Sequence, residues 1–202
     1  MDSLAFIIYL NISRSYFGGE IPHQLGILST LHVLDLHDYS NFQSKSIKWL
    51  KNLKGLQYLD MSGIDLVKAS DCFPVISSLT SLLELHFSRC GLNWLPSNLT
   101  TVKPGTHDGF HSMPSLRTLR VAGNTFVNSL SFLNGILSSL SNLHFLDFSY
   151  CHISSPVLVH LQNLSLIEYL DLSNNQILKE IPKSLSNLCN FTTLNLHDVG
   201  AS

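Results

Sequence analysis

Three short stretches pair histidine with aspartate, the residue types that ligate metals or act in acid–base catalysis. They are "DLHD" (35–38), "HDGFH" (107–111) and "HDVG" (197–200). Neighbouring residues of a strand point to opposite faces, so an adjacent His–Asp pair would not converge on one substrate. The histidines of "HDGFH" have no third ligand nearby, and no G-x-S-x-G or phosphate loop occurs. We predict no catalytic residues, no metal site and no cofactor.

The composition also limits the partners and the membrane topology. The 202 residues are 45% hydrophobic and 13% charged, with a formal net charge of −2 and scattered Lys and Arg, which predicts no nucleic-acid partner. The longest uncharged apolar run, Leu4 to Leu10, is too short to span a bilayer. No basic residue precedes it and no small-residue cleavage site follows, so no signal peptide is recognisable.

One spacing of apolar residues, L-x-x-L-x-x-L-x-L-x-x-N-x-L, recurs along the whole chain. Its first position falls at residues 4, 28, 53, 79, 113, 140, 164 and 188. The fourth, seventh and ninth positions are apolar in all eight copies. Neither a helix nor an ordinary strand keeps this timing. The pattern is that of a leucine-rich repeat.

This pattern predicts an α/β-type solenoid in which residues 1–202 form a single domain of about eight repeats. In each repeat two leucines of a short strand point inward. The stacked strands form a parallel sheet on the concave face, and irregular or 3-10 segments return on the convex side. The interval between the fourth and fifth copies is the longest, which predicts a longer convex-side loop over residues 93–112.

The twelfth position of the repeat is where an Asn side chain would hydrogen-bond the backbone of the turn between neighbouring repeats. Only Asn124 and Asn175 are Asn there. Three weaker polar substitutes and three unsuitable residues occupy the other copies, namely Ser15, Cys90 and Cys151, and then Tyr39, Ile64 and Val199. We therefore expect looser turns in the second, third and eighth repeats.

The four cysteines are predicted to be thiols. Cys90 and Cys151 occupy the same position two repeats apart. At ~4.8 Å per strand they lie about 10 Å apart, beyond the ~7 Å that a disulfide allows. Cys72 and Cys189 lie five repeats apart. Cys90 and Cys151 are expected to be buried substitutes for the Asn.

Two repeats continue with a second motif. "FGGEIPHQLGIL" and "ILKEIPKSLSNL" follow L-x-G-x-I-P-x-x-L, with Gly19 matching its glycine and Lys179 departing from it. With the 24-residue period, "LDLSNNQ" and "LKGLQYLDMSGIDLVKASD", the chain resembles plant extracellular leucine-rich repeat receptor-like proteins of the disease-resistance type. The resemblance implies a protein or peptide ligand, a co-receptor, and a plasma-membrane or extracellular location.

Receptors of this kind also carry a signal peptide, cysteine-paired caps, more repeats and a membrane span, and none is recognisable here. The chain is therefore expected to be a fragment, a truncated paralogue or a mispredicted gene model. Repeats without caps are expected to expose apolar side chains at both ends of the array.

The outward columns of the predicted sheet supply the candidate binding residues. Aromatic and Arg side chains are the usual anchors of recognition, and they occur at Tyr58, His86, Arg120, Phe145 and Tyr169. Asp60, Asp147 and Asp171 are interpreted instead as part of the "LDLS" scaffold. Five of the ten histidines fall on the same face, so affinity that depends on pH between about 5 and 7 is one hypothesis and ordinary surface histidines the other. The five are His32, His37, His86, His144 and His197.

Four N-x-[ST] sequons are candidates for N-glycosylation: Asn11, Asn98, Asn163 and Asn190. Asn11 is predicted on the concave face, where a glycan would obstruct binding. Asn98 and Asn163 are predicted to lie outside the concave face.

Two function classes remain open. The first is recognition of a protein or peptide by the concave face of a receptor-like ectodomain, in defence signalling and without enzymatic activity. The second is a soluble leucine-rich repeat scaffold or a secreted inhibitor of microbial enzymes. A third hypothesis is that the chain is a non-functional truncated paralogue.

Overall fold

The computed structural model describes residues 6–38, 41–92, 113–126, 137, 139–154, 161–177, 185 and 188–200. Eight strands of three residues form one parallel sheet in which sequence neighbours pair in register. The strands are β1 (Tyr9–Asn11), β3 (Val33–Asp35), β5 (Tyr58–Asp60), β6 (Glu84–His86), β7 (Thr118–Arg120), β8 (Phe145–Asp147), β9 (Tyr169–Asp171) and β10 (Thr193–Asn195), while β2 (Gly18–Glu20) and β4 (Asn41–Gln43) form a second, two-stranded parallel sheet. The predicted solenoid with eight stacked repeats is confirmed.

The apolar positions of the repeat form the core. In the second to seventh repeats, the residues at the fourth, seventh and ninth positions are all at most 5% exposed, and Leu34, Leu59 and Leu146 are fully buried. One repeat is too thin to bury these side chains by itself, so each depends on its neighbours. At the ends of the array this burial is incomplete: Leu194, equivalent to Leu34, is 39% exposed.

The return side is built from short, irregular elements, as predicted. It contains 3-10 helices at His23–Ile27 and Lys48–Asn52, and a five-residue helix α1 at Cys72–Ile76. The β2–β4 sheet was not predicted, and isolated bridges extend its pattern at Gln43–Asp65 and Ser154–Gln176. The predicted loop over residues 93–112 lies outside the described residues.

A left-handed backbone conformation recurs three residues after the end of the strand, at the eleventh position of the repeat. It is held by Gly63 (φ +79°) and Gly123 (φ +70°), but also by Arg89, Tyr150 and Asn174 at φ +54° to +56°. Glycine and Asn adopt this conformation readily, whereas Arg and Tyr do so at a cost. The conformation turns the chain out of the sheet in these repeats.

The twelfth position joins neighbouring repeats as predicted. Asn124 accepts hydrogen bonds from the N–H groups of Cys90 and Leu92 and donates to the carbonyls of Phe87 and Val121, at 2.7–3.1 Å. Asn175 repeats this arrangement in the seventh repeat, where its side-chain oxygen bonds two backbone N–H groups and its amide bonds carbonyls at 2.8 Å.

Cysteine replaces only part of the Asn arrangement. The thiol of Cys90 donates to the Met61 carbonyl at 3.2 Å, and that of Cys151 donates to the Val121 carbonyl at 3.3 Å. A backbone N–H of the preceding repeat, which would donate to the side-chain oxygen of an Asn, donates instead to the backbone carbonyl of the cysteine. The Leu66 N–H donates to the Cys90 carbonyl in this way, at 3.0 Å. All four cysteines keep their thiols, with Cys189 exposed and the other three buried, in agreement with the prediction.

The looser turn expected in the third repeat is not observed. Ile64 is fully buried, and its N–H donates to the Met61 carbonyl at 3.1 Å, so the backbone closes the turn by itself. Tyr39, at the same position of the second repeat, lies outside the described residues. Among the helices that the structure describes, none has the length and apolar composition needed to cross a membrane.

Candidate functional site

The register of the sheet places the outward side chains in two parallel rows. One row, formed by the sixth position of each repeat, passes through Tyr9, Val33, Tyr58, Glu84, Thr118, Phe145, Tyr169 and Thr193. The other passes through Asn11, Asp35, Asp60, His86, Arg120, Asp147, Asp171 and Asn195. The five candidate residues lie on the consecutive strands β5 to β9, so the structure brings them onto one continuous surface.

The C-terminal half of this surface is an aromatic platform with a cation on it. The rings of Phe145 and Tyr169 are stacked, 4.1 Å apart and inclined by 4°. The guanidinium of Arg120 lies 4.2 Å from the centre of the Phe145 ring, within cation–π distance. These three residues, which we call the aromatic platform, hold one another in place on adjacent strands.

The N-terminal half carries an aromatic and histidine pair among carboxylates. Tyr58 contacts His86 edge to face, with ring centroids 5.1 Å apart. Nδ1 of His86 lies 3.3 Å from an oxygen of Asp60, and Nε2 lies 3.6 Å from Glu84. His86 is thus held by two carboxylates as well as by the tyrosine ring.

A depression of about 390 Å³ opens on this acidic half. It exists because Val33 is short and stands in the same row between two tyrosines. We call it the tyrosine slot, and its lining includes Tyr9, Val33, Asp35, Tyr58, Leu83 and Glu84. Of these only Tyr58 was a sequence candidate; the alternation of large, small and large residues at the sixth position was the signal that could have revealed the slot.

The strand-ending aspartates have a scaffold role, as interpreted from the sequence, and a second role besides. One oxygen of Asp60 accepts the Ser62 N–H at 2.8 Å, and Asp147 and Asp171 accept the N–H two residues on at 3.0 and 2.9 Å. This is the local bond that aspartate makes in turns. The other oxygen of Asp60 faces His86, so the same carboxylate also charges the concave surface.

The pKa values follow from this arrangement. Burial would raise the pKa of Asp60, but hydrogen bonds from His86 and Ser62 outweigh it, so the net pKa is lowered. The pKa of Tyr58 is raised, first by burial and then by the charges of Asp60, Asp35 and Glu84. Burial, followed by Asp171 and Asp147, also raises the pKa of Tyr169. The Tyr58 hydroxyl therefore lies in a negative field from three carboxylates.

One cluster on this face has the residue types of a metal site. Ligand atoms of Asp35, His37 and Asp60 lie within 4.8 Å of one another. Hydrogen bonds explain this proximity without an ion: His37 Nδ1 lies 2.9 Å from Asp35, and Arg14 donates to His37 Nε2 at 3.0 Å. With one ring nitrogen bonded to Arg14, we assign no metal to the cluster. The histidines of "HDGFH" lie outside the described residues.

The sequons differ in their surroundings. Asn11 is on the concave face as predicted, and its amide donates to Asp35 at 3.0 Å and contacts the Tyr9 hydroxyl at 3.4 Å. Asn163 is exposed away from the sheet, and Asn190 is exposed with its amide bonded to the Ser165 carbonyl at 2.7 Å. Asn98 lies outside the described residues.

The stacked strands and the side-chain ladder at the twelfth position define the class of this chain: it is a leucine-rich repeat protein. The Leucine Rich Repeat family model matches residues 142–164 and 166–188.

Among characterised proteins, the chain resembles plant receptor-like proteins. It is 32% identical over 176 residues to Receptor-like protein EIX1 of Solanum lycopersicum, covering 87% of this chain and 16% of that protein. It is 32% identical over 161 residues to Receptor-like protein 39 of Arabidopsis thaliana, with coverage of 78% and 16%. The chain thus spans about a sixth of the length of these relatives.

A solved structure shows the same architecture. The leucine-rich repeat ectodomain of the plant membrane receptor kinase GASSHO1/SCHENGEN3 from Arabidopsis thaliana, in complex with CASPARIAN STRIP INTEGRITY FACTOR 2, aligns with a TM-score of 0.67. The two are 26% identical, and the alignment covers 89% of this chain and 20% of that one.

Proposed function

We propose that the concave face of this chain binds a protein or peptide ligand, with Tyr58, His86, Arg120, Phe145 and Tyr169 as its anchors. The observation that carries the proposal is that these five side chains lie on five consecutive strands, where Tyr58 already contacts His86 and Phe145 already contacts both Arg120 and Tyr169. Aromatic and Arg side chains carry most of the energy at protein interfaces. Their mutual contacts reduce the conformational entropy that binding would otherwise cost.

One hydrogen-bond donor on this face supports the same conclusion. Nε of Arg120 is buried and makes no hydrogen bond within the described residues. Most buried polar atoms in folded proteins have a partner, so exceptions call for an explanation. A ligand carbonyl or carboxylate placed over β7 would supply the missing acceptor.

The biological setting that we propose is the ligand-recognition ectodomain of a plant cell-surface receptor-like protein in defence signalling, acting by binding alone and with a co-receptor as second partner. The resemblance to two receptor-like proteins supports this setting. The similar ectodomain solved with CASPARIAN STRIP INTEGRITY FACTOR 2 supports a ligand on such a scaffold. The exposed sequons at Asn163 and Asn190 are compatible with an extracellular location.

Selection of random peptides displayed on phage against the immobilised full chain tests the binding proposal. The comparison variant is Phe145→Ala with Tyr169→Ala, which removes the stack without touching the buried leucines. The control is Tyr16→Ala, because Tyr16 is 91% exposed and lies outside both sheets. We expect peptides that bind the wild type and the Tyr16 variant but lose about tenfold or more in affinity on the stack variant. Peptides that bind all three equally would refute the anchors.

A further inference from the structure

We infer that the tyrosine slot is a specificity pocket for an arginine side chain of a peptide ligand. This inference rests on the proposed function and adds the chemistry of one ligand position. It follows from the shape of the slot, from the carboxylates around it and from the ion-pair partners of those carboxylates, which among the described residues are histidines.

The shape suits one flat side chain. Tyr9 and Tyr58 stand on β1 and β5, two strand spacings apart, which is about 9.6 Å. A planar group between two rings needs about 7–8 Å, twice the optimal carbon–carbon contact distance. Val33 and Leu83 give the slot an apolar lining that suits the methylene stem of a long side chain.

The charge is negative and weakly compensated. Asp35 and Glu84 line the slot, and Asp60 pairs with Asp35 on the neighbouring strand. Within the described part of the chain, the ion-pair partners of these three carboxylates are His37 and His86, not Lys or Arg. Burial raises the pKa of the Tyr58 hydroxyl most, the charges of all three carboxylates raise it further, and the charge of Arg120 lowers it. A cation that enters the slot therefore meets carboxylates that lack a permanently charged partner.

Arginine fits these features better than lysine. A guanidinium is flat, stacks on aromatic rings, and donates to carboxylates in a fixed two-pronged geometry. An ammonium group would satisfy the charge but not the stacking between tyrosines. The slot is thus expected to discriminate between the two cations as well as against neutral side chains.

The test uses the peptides selected on the wild-type chain in the display experiment, resynthesised with arginine replaced by lysine or by citrulline. Citrulline keeps the flat shape and removes the charge, and the peptide series requires no change in the protein. We expect citrulline to weaken binding by at least about tenfold, and lysine to weaken it less. Affinity measured in 50 and 500 mM salt should fall for the arginine peptide and stay level for the citrulline peptide.

The protein side of the test is the variant Asp35→Asn with Glu84→Gln, in which each new side chain keeps an oxygen acceptor. The matched control is Asp65→Asn with Glu20→Gln, an equal charge change on exposed carboxylates beside the two-stranded sheet. The slot variant should lose the preference for arginine over citrulline, and the control should retain it.

The outcomes separate the two proposals. Selected peptides that require the aromatic platform but tolerate citrulline, or that ignore the slot variant, overturn the arginine pocket and leave the proposed function standing. A wild-type chain that enriches no peptide over the stack variant overturns the proposed function and this inference with it.

Discussion

Replacing Asn124 with alanine is the sharpest test of how the repeats are joined. Asn124 is 2% exposed, and its side chain makes four hydrogen bonds, at 2.7 to 3.1 Å, to backbone groups of the preceding repeat and of its own. Each bond contributes about 1 kcal/mol net, and a buried group left without a partner costs about 1–3 kcal/mol. We therefore expect a loss of about 4 kcal/mol, a large share of the 5–15 kcal/mol typical of a folded domain.

Asn124→Cys is the graded version of the same change, because the chain already uses cysteine at this position. The thiols of Cys90 and Cys151 each reach a carbonyl of the preceding repeat, at 3.2 and 3.3 Å, but cannot reproduce all four bonds. We expect the cysteine variant to lose roughly half as much free energy as the alanine variant. Asn142→Ala is the control, since that exposed amide bonds one carbonyl, at 2.6 Å, and its loss should cost under ~1 kcal/mol.

Native-state hydrogen exchange is the assay that reads this junction directly, because solenoid repeats need not unfold together. The amides of Cys90 and Leu92 donate to the Asn124 oxygen, both at 3.1 Å. Their exchange should accelerate by roughly 10³-fold in Asn124→Ala, from tenfold per ~1.4 kcal/mol. Equal acceleration in the alanine and cysteine variants would show that cysteine is no substitute for Asn. Acceleration below about tenfold would refute the ladder as the main link between these repeats.

Three further results should follow from the same structure. Asp60→Asn should destabilise the chain by roughly 1 kcal/mol at pH 7. Because the folded pKa is lowered, that difference should shrink as pH falls below the ordinary value of 3.8, and urea titrations that show a constant difference would contradict it. A thiol reagent at pH 8 should label the exposed Cys189 of the folded protein but not the buried Cys151, because burial raises the pKa of Cys151 to about 12. Rapid labelling of Cys151 would contradict its burial. Endoglycosidase treatment of the chain expressed in plant tissue should increase its gel mobility, with Asn163→Gln removing part of the shift, and no mobility change would count against the secretory location.

The fold could be predicted from the sequence because one spacing encodes both the core and the sheet. Leu34 and Leu59 are equivalent positions in that spacing, and both are fully buried. Ile64 shows the limit of the rule: the sequence predicted a loose turn, but a backbone hydrogen bond to Met61 needs no particular side chain and closes it. The β2–β4 sheet was missed because its strands, such as "GGE", have no apolar alternation to identify them.

The candidate site could be predicted less completely, for a physical reason. Outward residues follow from strand periodicity, so the row positions of Tyr58 and Phe145 were predictable. Contacts between them depend on side-chain rotamers across strands, which no single repeat encodes. Asp60 illustrates the difference: its bond to Ser62 is local and was expected, whereas its contact with His86 joins two repeats. The slot beside Val33 likewise exists only when three repeats are stacked.

The distance between the slot and the aromatic platform leads to a last prediction about the ligand. Tyr58 lies on β5 and Phe145 on β8, three strand spacings or about 14 Å apart. An extended peptide advances about 3.3–3.6 Å per residue, so one that crosses the strands covers this distance in about four residues. The platform carries Arg120, with a hydrogen-bond donor still available, and attracts an acidic or aromatic ligand residue. Peptides selected on the full chain should therefore pair an arginine with an acidic or aromatic residue about four positions away. Inserting two glycines between these positions should weaken binding by about tenfold, and a selected motif that tolerates this insertion would show that the two regions do not act on one extended ligand.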